Sequence, residues 1–307
     1  MDENYAIIRY EQAADLLPGR WQRVARQVPD WRKALAEELR LRVGKPMTLL
    51  LPEGEVLVTD ELPRILVTQA DLEQLCDNVT GYSRYAACDT LSHGYLTAKG
   101  GFRVGVCGTA VMRNGSNSNL RDISSAAIRI GRQQKGAADQ ILPQLLENGC
   151  LCSTLILSPP GLGKTTLLRD LVRQLSDGTE ELPAHRVSVV DERGEIAVMY
   201  QGAPQMDVGC HTDVLDACPK AIGIPMLLRA TNPQVLAVDE ITTREDLAAM
   251  DAAANCGVAL LATAHAQSRE ELTRKPLFVS LLELGVFRRC VTITARSGVR
   301  QYQVTAL

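Results

Sequence analysis

A run of small residues and glycines, ending in lysine and threonine, has the composition and spacing of a phosphate-binding loop. Gly161 and Gly163 would let backbone N–H groups wrap around phosphates, Lys164 would reach the β- and γ-phosphates, and Thr165 would offer its hydroxyl to Mg²⁺. The run consists of Ser158, Pro159, Pro160, Gly161, Leu162, Gly163, Lys164, Thr165 and Thr166. Ser158 stands where the pattern usually has Gly, and a small residue can fill that turn. The loop predicts binding of ATP with Mg²⁺.

A second apolar run, Val235–Val238, ends in two acids, Asp239 and Glu240. Burying a carboxylate at the end of a strand costs free energy unless a cation compensates for it. We therefore expect Asp239 to serve Mg²⁺ through water, and Glu240 to polarise the attacking water. The alternative is a solvated pair of acids, which the phosphate-binding loop earlier in the chain disfavours.

A third apolar run is followed by Asp191, Glu192 and Glu195. At the same sheet edge as the phosphates, these acids would activate water or support the Mg²⁺ shell. The alternative is a set of solvated acids that cap the next element.

A fourth run leads through Ala262–Ala264 to His265. A lone histidine is usually structural, but this one follows a buried strand, and its imidazole could donate a hydrogen bond to a phosphate oxygen. We expect His265 to sense the γ-phosphate.

These four sites need a scaffold that brings them together. Short, continuous apolar runs fit strands that are covered on both faces, as in a parallel α/β sheet. Because the carboxyl ends of parallel strands lie at one edge of the sheet, the four motifs would meet there. The runs are Thr154–Leu157, Val187–Val190, Val235–Val238 and Val258–Ala262. A helix over Thr166–Val172 is expected to follow the phosphate-binding loop.

The first half of the chain has a different pattern, which predicts an α+β domain. Two helices are expected, one capped by Asp30 and running to Glu38, the other capped by Thr68. Leu39–Val43 alternates as a half-buried strand does, and two hairpins and a mobile polar loop are expected after it. The hairpins join Met47–Leu51 to Val56–Thr59 and Gly94–Lys99 to Phe102–Cys107, and the loop is Arg113–Asn119. A boundary near Gly131–Gly136 predicts domains 1–135 and 136–307.

Composition narrows the class of protein. The chain has 307 residues, 46% of them hydrophobic and 22% charged, which favours two folded domains over a disordered chain. The net charge is −3 and only 4% of the residues are aromatic, so a basic groove with stacking rings for single-stranded nucleic acid is disfavoured. No apolar run is long enough for a transmembrane helix, and the N-terminus lacks the basic and apolar regions of a signal peptide.

Cysteine usage predicts a reducing, cytosolic environment. The nine cysteines are odd in number, contain no Cys-x-x-Cys pair, and are not combined with histidines at zinc-ligand spacing. We expect them to be buried, reduced thiols.

Together and in this order, the four motifs resemble those of the secretion ATPases of type II and type IV systems. More narrowly, nearly the whole chain resembles the family of stage III sporulation AA proteins of endospore-forming bacteria. The segments that carry this resemblance are Glu37–Pro46, Gly101–Gly108, Val190–Ala197 and Thr212–Asp216. Arg229–Gln234, just before the second acidic motif, also has an Arg and a Pro at places similar to those in the secretion ATPases.

The resemblance implies a RecA-like ATPase domain and a cytosolic ring, expected to be hexameric. It also implies work in the mother cell, at the channel to the forespore, with peripheral attachment to the membrane through embedded partner proteins. Under it, Lys164 and Thr165 are the P-loop pair, Glu240 is the Walker B acid, Glu192 and Glu195 form the acidic box, and His265 is the His box. Asp239 departs from the Gly that often precedes the Walker B Glu, and no four-cysteine zinc element is recognisable.

In secretion ATPases, arginines of the N-terminal domain complete the active site. The candidates here are Arg40, Arg42, Arg103, Arg113 and Arg121, and a solvated basic face is the alternative for each. Two other functions stay open for the whole chain. One is a nucleic-acid-associated P-loop ATPase that uses ATP as a binding clamp, and the other is a nucleotide-gated scaffold with negligible turnover.

Overall fold

The computed structural model describes residues 3–59, 65–81, 91–92, 94–113, 115–131, 133–180, 182–266, 268–296 and 299–307. The chain divides into two compact units, Met1–Arg132 and Gln133–Leu307. Each unit has its own hydrophobic core.

The first unit combines helices with an antiparallel sheet. Its helices in the described residues include Glu3–Ala14 (α1), Gly19–Arg26 (α2), Asp30–Leu35 (α3) and Gln69–Thr80 (α4). Its strands are Glu38–Arg42 (β1), Thr48–Leu51 (β2), Gly54–Leu57 (β3), Tyr95–Ala98 (β4), Phe102–Arg113 (β5) and Ser116–Arg129 (β6). They pair antiparallel in the order β3-β2-β1-β6-β5-β4.

Alternation along β1 determines which face of this sheet is buried. Leu39 and Leu41 are fully buried, whereas Glu38, Arg40 and Arg42 lie on the opposite, partly exposed face. The expected cap of α4 is confirmed, because Thr68 and Asp71 form a reciprocal capping box. Both expected hairpins are confirmed as β2–β3 and β4–β5.

Two expectations for this unit were wrong. Asp30 is the first residue of α3 rather than its cap, and the helix ends at Leu35, because Glu38 already pairs with Leu50 in the sheet. The polar stretch expected to be a mobile loop is part of a long hairpin, in which Arg113 pairs with Ser116 and Met112 with Asn117. Polar side chains are compatible with an extended ladder in which the backbone groups pair with each other. Asn114, within that stretch, lies outside the described residues.

The second unit contains the elements around the four motifs. Its helices in the described residues include Lys164–Asp177 (α5), Lys220–Thr231 (α6), Arg244–Asn255 (α7), Arg269–Leu272 (α8) and Pro276–Glu283 (α9), and a 3₁₀ turn spans Leu142–Leu145. Short strand pairs are Leu146–Glu147 (β7) with Cys150–Leu151 (β8), and Met199–Tyr200 (β11) with Ala203–Pro204 (β12). The main strands are Thr154–Ser158 (β9), Val187–Asp191 (β10), Thr212–Asp216 (β13), Val235–Val238 (β14), Ala259–His265 (β15), Arg289–Arg296 (β16) and Val299–Ala306 (β17).

The main strands form one sheet in the order β13-β10-β14-β15-β9-β16-β17. All neighbours are parallel except β16 and β17, which are antiparallel. Along β9, Ile156 faces the core that includes α5, whereas Leu155 and Leu157 face the core that includes α6 and α7. The expected two-sided parallel sheet is therefore confirmed, and the carboxyl ends of β9, β10, β14 and β15 lie at one edge.

The expectation of buried thiols is wrong for much of the described chain. Cys76, Cys152 and Cys290 are buried, but four others are exposed and Cys218 is half-buried. The exposed four are Cys107, Cys150, Cys210 and Cys256, and all eight described cysteines are free thiols. Within the part of the chain that the structure describes, no helix has the length and apolar character needed to cross a membrane.

Candidate nucleotide-binding site

The phosphate-binding loop connects β9 to α5. Gly161 and Gly163 adopt φ angles of 80° and 94°, in the left-handed region that side chains with a Cβ rarely enter. Gly163 is the residue before the first helical residue, Lys164. The first N–H groups of α5 have no partners within the helix, so this end of α5 favours an anion.

Ser158, the departure from the usual motif, is fully buried at the end of β9. Its hydroxyl donates to the carbonyl oxygen of Pro159 at 2.7 Å, so the buried polar group is satisfied within the turn. Its own carbonyl oxygen accepts from the Nζ of Lys164 at 3.3 Å. A serine therefore fits this position without disturbing the loop.

Lys164 is buried and faces His265 of the neighbouring strand, with 2.8 Å between its Nζ and the Nδ1 of the imidazole. Burial lowers the pKa of Lys164, and the negative charges of Asp239 and Glu195 oppose this shift. Burial, together with the charge of Lys164, also lowers the pKa of His265 below its usual 6.5. His265 is therefore neutral near pH 7, and its Nδ1 can accept a hydrogen bond from the ammonium group.

Asp239 is held at the end of β14 by the strand beside it. Its Oδ1 accepts from the hydroxyl of Thr263 at 2.8 Å and from the backbone N–H of Glu240 at 3.0 Å. The charge of Asp239 acts on Lys164. With the half-buried hydroxyl of Thr165 on the first turn of α5, this carboxylate offers hard oxygen donors of the kind that Mg²⁺ prefers, so the residues fit the metal ion.

Glu240 is buried between two partners. Its Oε2 accepts from the Nη1 of Arg193, and its Oε1 contacts the Nε2 of His265. Lys164, His265, Glu240 and Arg193 therefore form a continuous chain of polar contacts across the carboxyl ends of the strands. Three of the four are among the predicted site residues.

The three acids at and just after the end of β10 have different partners. Asp191 is fully buried, and its carboxylate accepts backbone N–H groups from Glu195 at 2.8 Å, Ile196 at 3.1 Å and Ala197 at 2.8 Å, which folds the loop back on the strand. Glu192 pairs with the buried Lys220 of α6. Of these acids, Glu195 contributes charge to Lys164.

Four residues that the sequence did not single out position this site. Arg169 on α5 donates to the carbonyl oxygens of Glu195 at 2.6 Å and Ile196 at 2.5 Å, which anchors the acidic loop to the helix after the phosphate-binding loop. Thr263 holds Asp239, Arg193 holds Glu240, and Arg300 covers Gly163. Arg193 and Thr263 lie inside two of the sequence motifs described above, so the sequence could have identified them as site residues.

The candidate arginines of the first unit differ in their contacts. Arg42 pairs with Glu55 and lowers the pKa of that carboxyl to about 2. Arg40 donates to Glu38 at 2.7 Å. The guanidinium of Arg103 lies 3.9 Å from the ring centre of Tyr95. The Nε of Arg121 lies 3.6 Å from the Oδ2 of Asp122, and the side chains of Arg121 and Asp122 are both exposed. Arg113 is exposed at the end of β5.

Comparisons with known proteins identify the family of the chain. The family model described as sporulation stage III, protein AA matches residues 8–303. The chain is 37% identical to stage III sporulation protein AA of Bacillus subtilis over 287 residues, covering 94% of this chain and 92% of the relative.

Two solved structures share the fold. The ATPase DotB of Legionella pneumophila aligns with a TM-score of 0.58 at 16% identity, over 90% of this chain and 78% of DotB. The pilus retraction motor PilT, solved with bound ADP, aligns with a TM-score of 0.59 at 16% identity, over 88% of this chain and 79% of PilT. At this identity the likeness concerns the fold alone, and it confirms the expected RecA-like P-loop architecture with an N-terminal α+β unit.

Proposed function

The chain belongs to the family of stage III sporulation AA proteins, and from that premise we propose that it is a Mg²⁺-dependent ATPase. The observation that supports the proposal is the contact between Lys164 and His265, a buried lysine and a histidine beside a glycine loop. Two carboxylates, Asp239 and Glu240, follow β14, the strand that pairs with the strand of His265. This set of residues matches the needs of phosphoryl transfer, where catalysis is positioning plus charge stabilisation.

In the proposed reaction, water attacks the γ-phosphoryl group in line with the bond to the leaving ADP. The N–H groups of the loop and the ammonium of Lys164 stabilise the charge on the phosphate oxygens. Thr165 and Asp239 would hold Mg²⁺, which would neutralise negative charge on the phosphates. Glu240 orients and polarises the water, and His265 donates a hydrogen bond to the γ-phosphate.

The wider role follows from the family. We propose a homo-oligomeric ring, expected to be a hexamer, in the cytoplasm of the mother cell. It would attach to the membrane through embedded partner proteins and power assembly of, or transport through, the channel to the forespore. A head-to-tail ring gives each site a neighbouring subunit that can contribute an arginine.

Replacement of Lys164 tests the proposal. Lys164→Ala removes the charge aimed at the phosphates, so turnover of ATP should fall below detection in a phosphate-release assay of the full chain. Lys135→Ala is the matched control, because Lys135 is an exposed lysine of the same unit that pairs with Asp207. Full ATPase activity in Lys164→Ala would refute the assignment.

The nucleic-acid clamp predicts a different response. ATPase activity would then rise with added single-stranded DNA or RNA, and binding would weaken steeply across a salt series. For a ring ATPase that acts on proteins, neither polymer should change the rate. The nucleotide-gated scaffold predicts ATP binding with no measurable phosphate release from the wild-type chain.

A further inference from the structure

Arg300 of β17 lies against the phosphate-binding loop. A Cβ placed on Gly163 would lie 3.2 Å from the Cζ and the Nη1 of Arg300, so the guanidinium group covers this turn of the loop. Its Nη1 also donates to the Oε1 of Gln134 at 3.3 Å. A second cation besides Lys164 is therefore held next to the phosphate-binding loop.

The same arginine lines a cavity of about 560 Å³. Its walls come from β17, from Thr294 of β16, and from the 3₁₀ turn before β7 with the residues just ahead of it, and they include Gln140, Ile141, Gln144 and Tyr302. A volume between roughly 300 and 1,000 Å³ is typical of sites for small organic ligands. Arg300 borders both features, so the cavity and the phosphate-binding loop lie on either side of one guanidinium group.

The lining of the cavity suits a flat, polar-edged ring. Arg300 and Tyr302 are two residues apart on one strand and so share a face of the sheet. Tyr302 is half-buried and packs against the core to which the buried Ile141 belongs. Gln144 is exposed, and its Nε2 donates to the carbonyl oxygen of Gln140 at 2.6 Å, which fixes the amide at the wall.

We infer that this cavity binds the nucleoside moiety of the nucleotide whose phosphates lie on the loop. Tyr302 stacks against the base, Ile141 supplies apolar contact, and Arg300 lies between the base and the phosphates. The inference rests on the proposed function, because a nucleotide is the ligand class that joins a chain of phosphates to an aromatic base. An aromatic ring stacked on a base strengthens binding about tenfold or more.

Calorimetric titration of the full chain with two ligands tests the assignment. Both ATP and inorganic tripolyphosphate would be titrated in the presence of Mg²⁺. Tyr302→Ala should raise the Kd for ATP about tenfold and leave the Kd for tripolyphosphate unchanged, whereas Tyr302→Phe should bind ATP like the wild type. Arg300→Ala should weaken both ligands. Thr305→Ala, a change on the same strand outside the cavity, is the matched control.

Other outcomes overturn the inference in distinguishable ways. Wild-type affinity of Tyr302→Ala for ATP would place the base elsewhere and leave the ATPase proposal intact. Equal weakening of ATP and tripolyphosphate by Tyr302→Ala would show that the tyrosine supports the loop rather than the base. A wild-type chain that binds neither ligand would refute the ATPase proposal and the nucleoside site together. Thermal unfolding of each variant identifies any that fails to fold.

Discussion

The Nζ of Lys164 lies 2.8 Å from the Nδ1 of His265, which joins the helix after the phosphate-binding loop to the strand beside β9. The two residues are 101 positions apart in the chain, and the register that pairs His265 with Ser158 brings them together. His265 in turn contacts Glu240. A phosphate that draws Lys164 towards the loop would therefore also change the surroundings of the acid proposed to polarise water.

Glu240→Gln should keep ATP binding and slow hydrolysis. The amide retains the shape of the side chain but cannot polarise water as a carboxylate does, and removal of a general base typically costs about 10²- to 10⁴-fold in rate. Single-turnover phosphate release and ATP titration separate the two quantities. The matched control is Glu245→Gln, an exposed acid on the first turn of α7. Loss of ATP binding in Glu240→Gln would make Glu240 structural.

His265 makes the free energy of unfolding depend on pH. Burial and the charge of Lys164 hold its pKa in the folded chain below the unfolded value of 6.5. As pH falls below 6.5, the unfolded chain therefore takes up the proton first, and the contribution of His265 to stability decreases. Between pH 7.5 and about 5, the wild-type Tm should fall by more than that of His265→Asn. His185→Asn, which changes a half-buried histidine of the same unit, should follow the wild type.

An equal decrease of Tm in the wild type and in His265→Asn would contradict this reading. It would mean that His265 has the same proton affinity in the folded and unfolded chains, so that burial and the charge of Lys164 together do not lower its pKa.

The sequence predicted the β-strands and the loop of the second unit because their signals are local. A continuous apolar run such as Val235–Val238 and a glycine pair such as Gly161 and Gly163 carry their own structural requirement. Long-range pairs carry no such local signal. Arg193 meets Glu240 across 47 positions, and Asp191 folds the acidic loop inwards through backbone groups that any residue possesses. These contacts follow from the strand order.

The long hairpin of the first unit also could not be predicted from local sequence signals. Its polar residues around Ser116 are typical of a loop, and no apolar alternation marks them as a strand. Pairing with β5 extends the ladder to Arg113 all the same, because the backbone of β6 supplies the partners. The cysteines were misjudged for a related reason, since exposure of residues such as Cys107 depends on which face of this ladder they occupy.

Glu192→Gln should mainly lower stability. Glu192 is the ion-pair partner of Lys220, whose side chain is only 4% exposed, so the variant leaves a buried ammonium without its counter-charge. Loss of a hydrogen bond to a charged group costs about 1.5–3 kcal/mol. The Tm should fall by several degrees, and the rate of hydrolysis measured well below Tm should stay within a few-fold of wild type. Glu195→Gln, the acid whose charge acts on Lys164, is the comparison.

A large loss of rate in Glu192→Gln with an unchanged Tm would contradict that expectation. Glu192 would then act as the acidic-box carboxylate that the family resemblance implies, and the pair with Lys220 would belong to one state of the site.

We expect an arginine of the first unit, contributed by a neighbouring subunit, to complete the active site, and Arg113 is the first candidate to test. Arg42 is held by Glu55, whose pKa of about 2 keeps the carboxylate charged at any physiological pH. Arg113 is exposed at the end of β5, and the structure gives it no ion pair to another described residue. Arg113→Ala should therefore lower kcat by about 10³-fold with little change in ATP affinity, since a contributed arginine is commonly worth that much.

Arg42→Ala is the matched control for that variant. It should lower the Tm, because the ion pair with Glu55 is lost, and it should change kcat little. The same reasoning predicts concentration dependence, because an arginine contributed by a neighbouring subunit acts only in the assembled ring. Specific ATPase activity of the wild type should rise with protein concentration, and mixing Arg113→Ala with Lys164→Ala chains should restore part of it. Specific activity that does not depend on concentration, with full turnover in all five single arginine-to-alanine variants, would show that the first unit is an adaptor rather than a part of the active site.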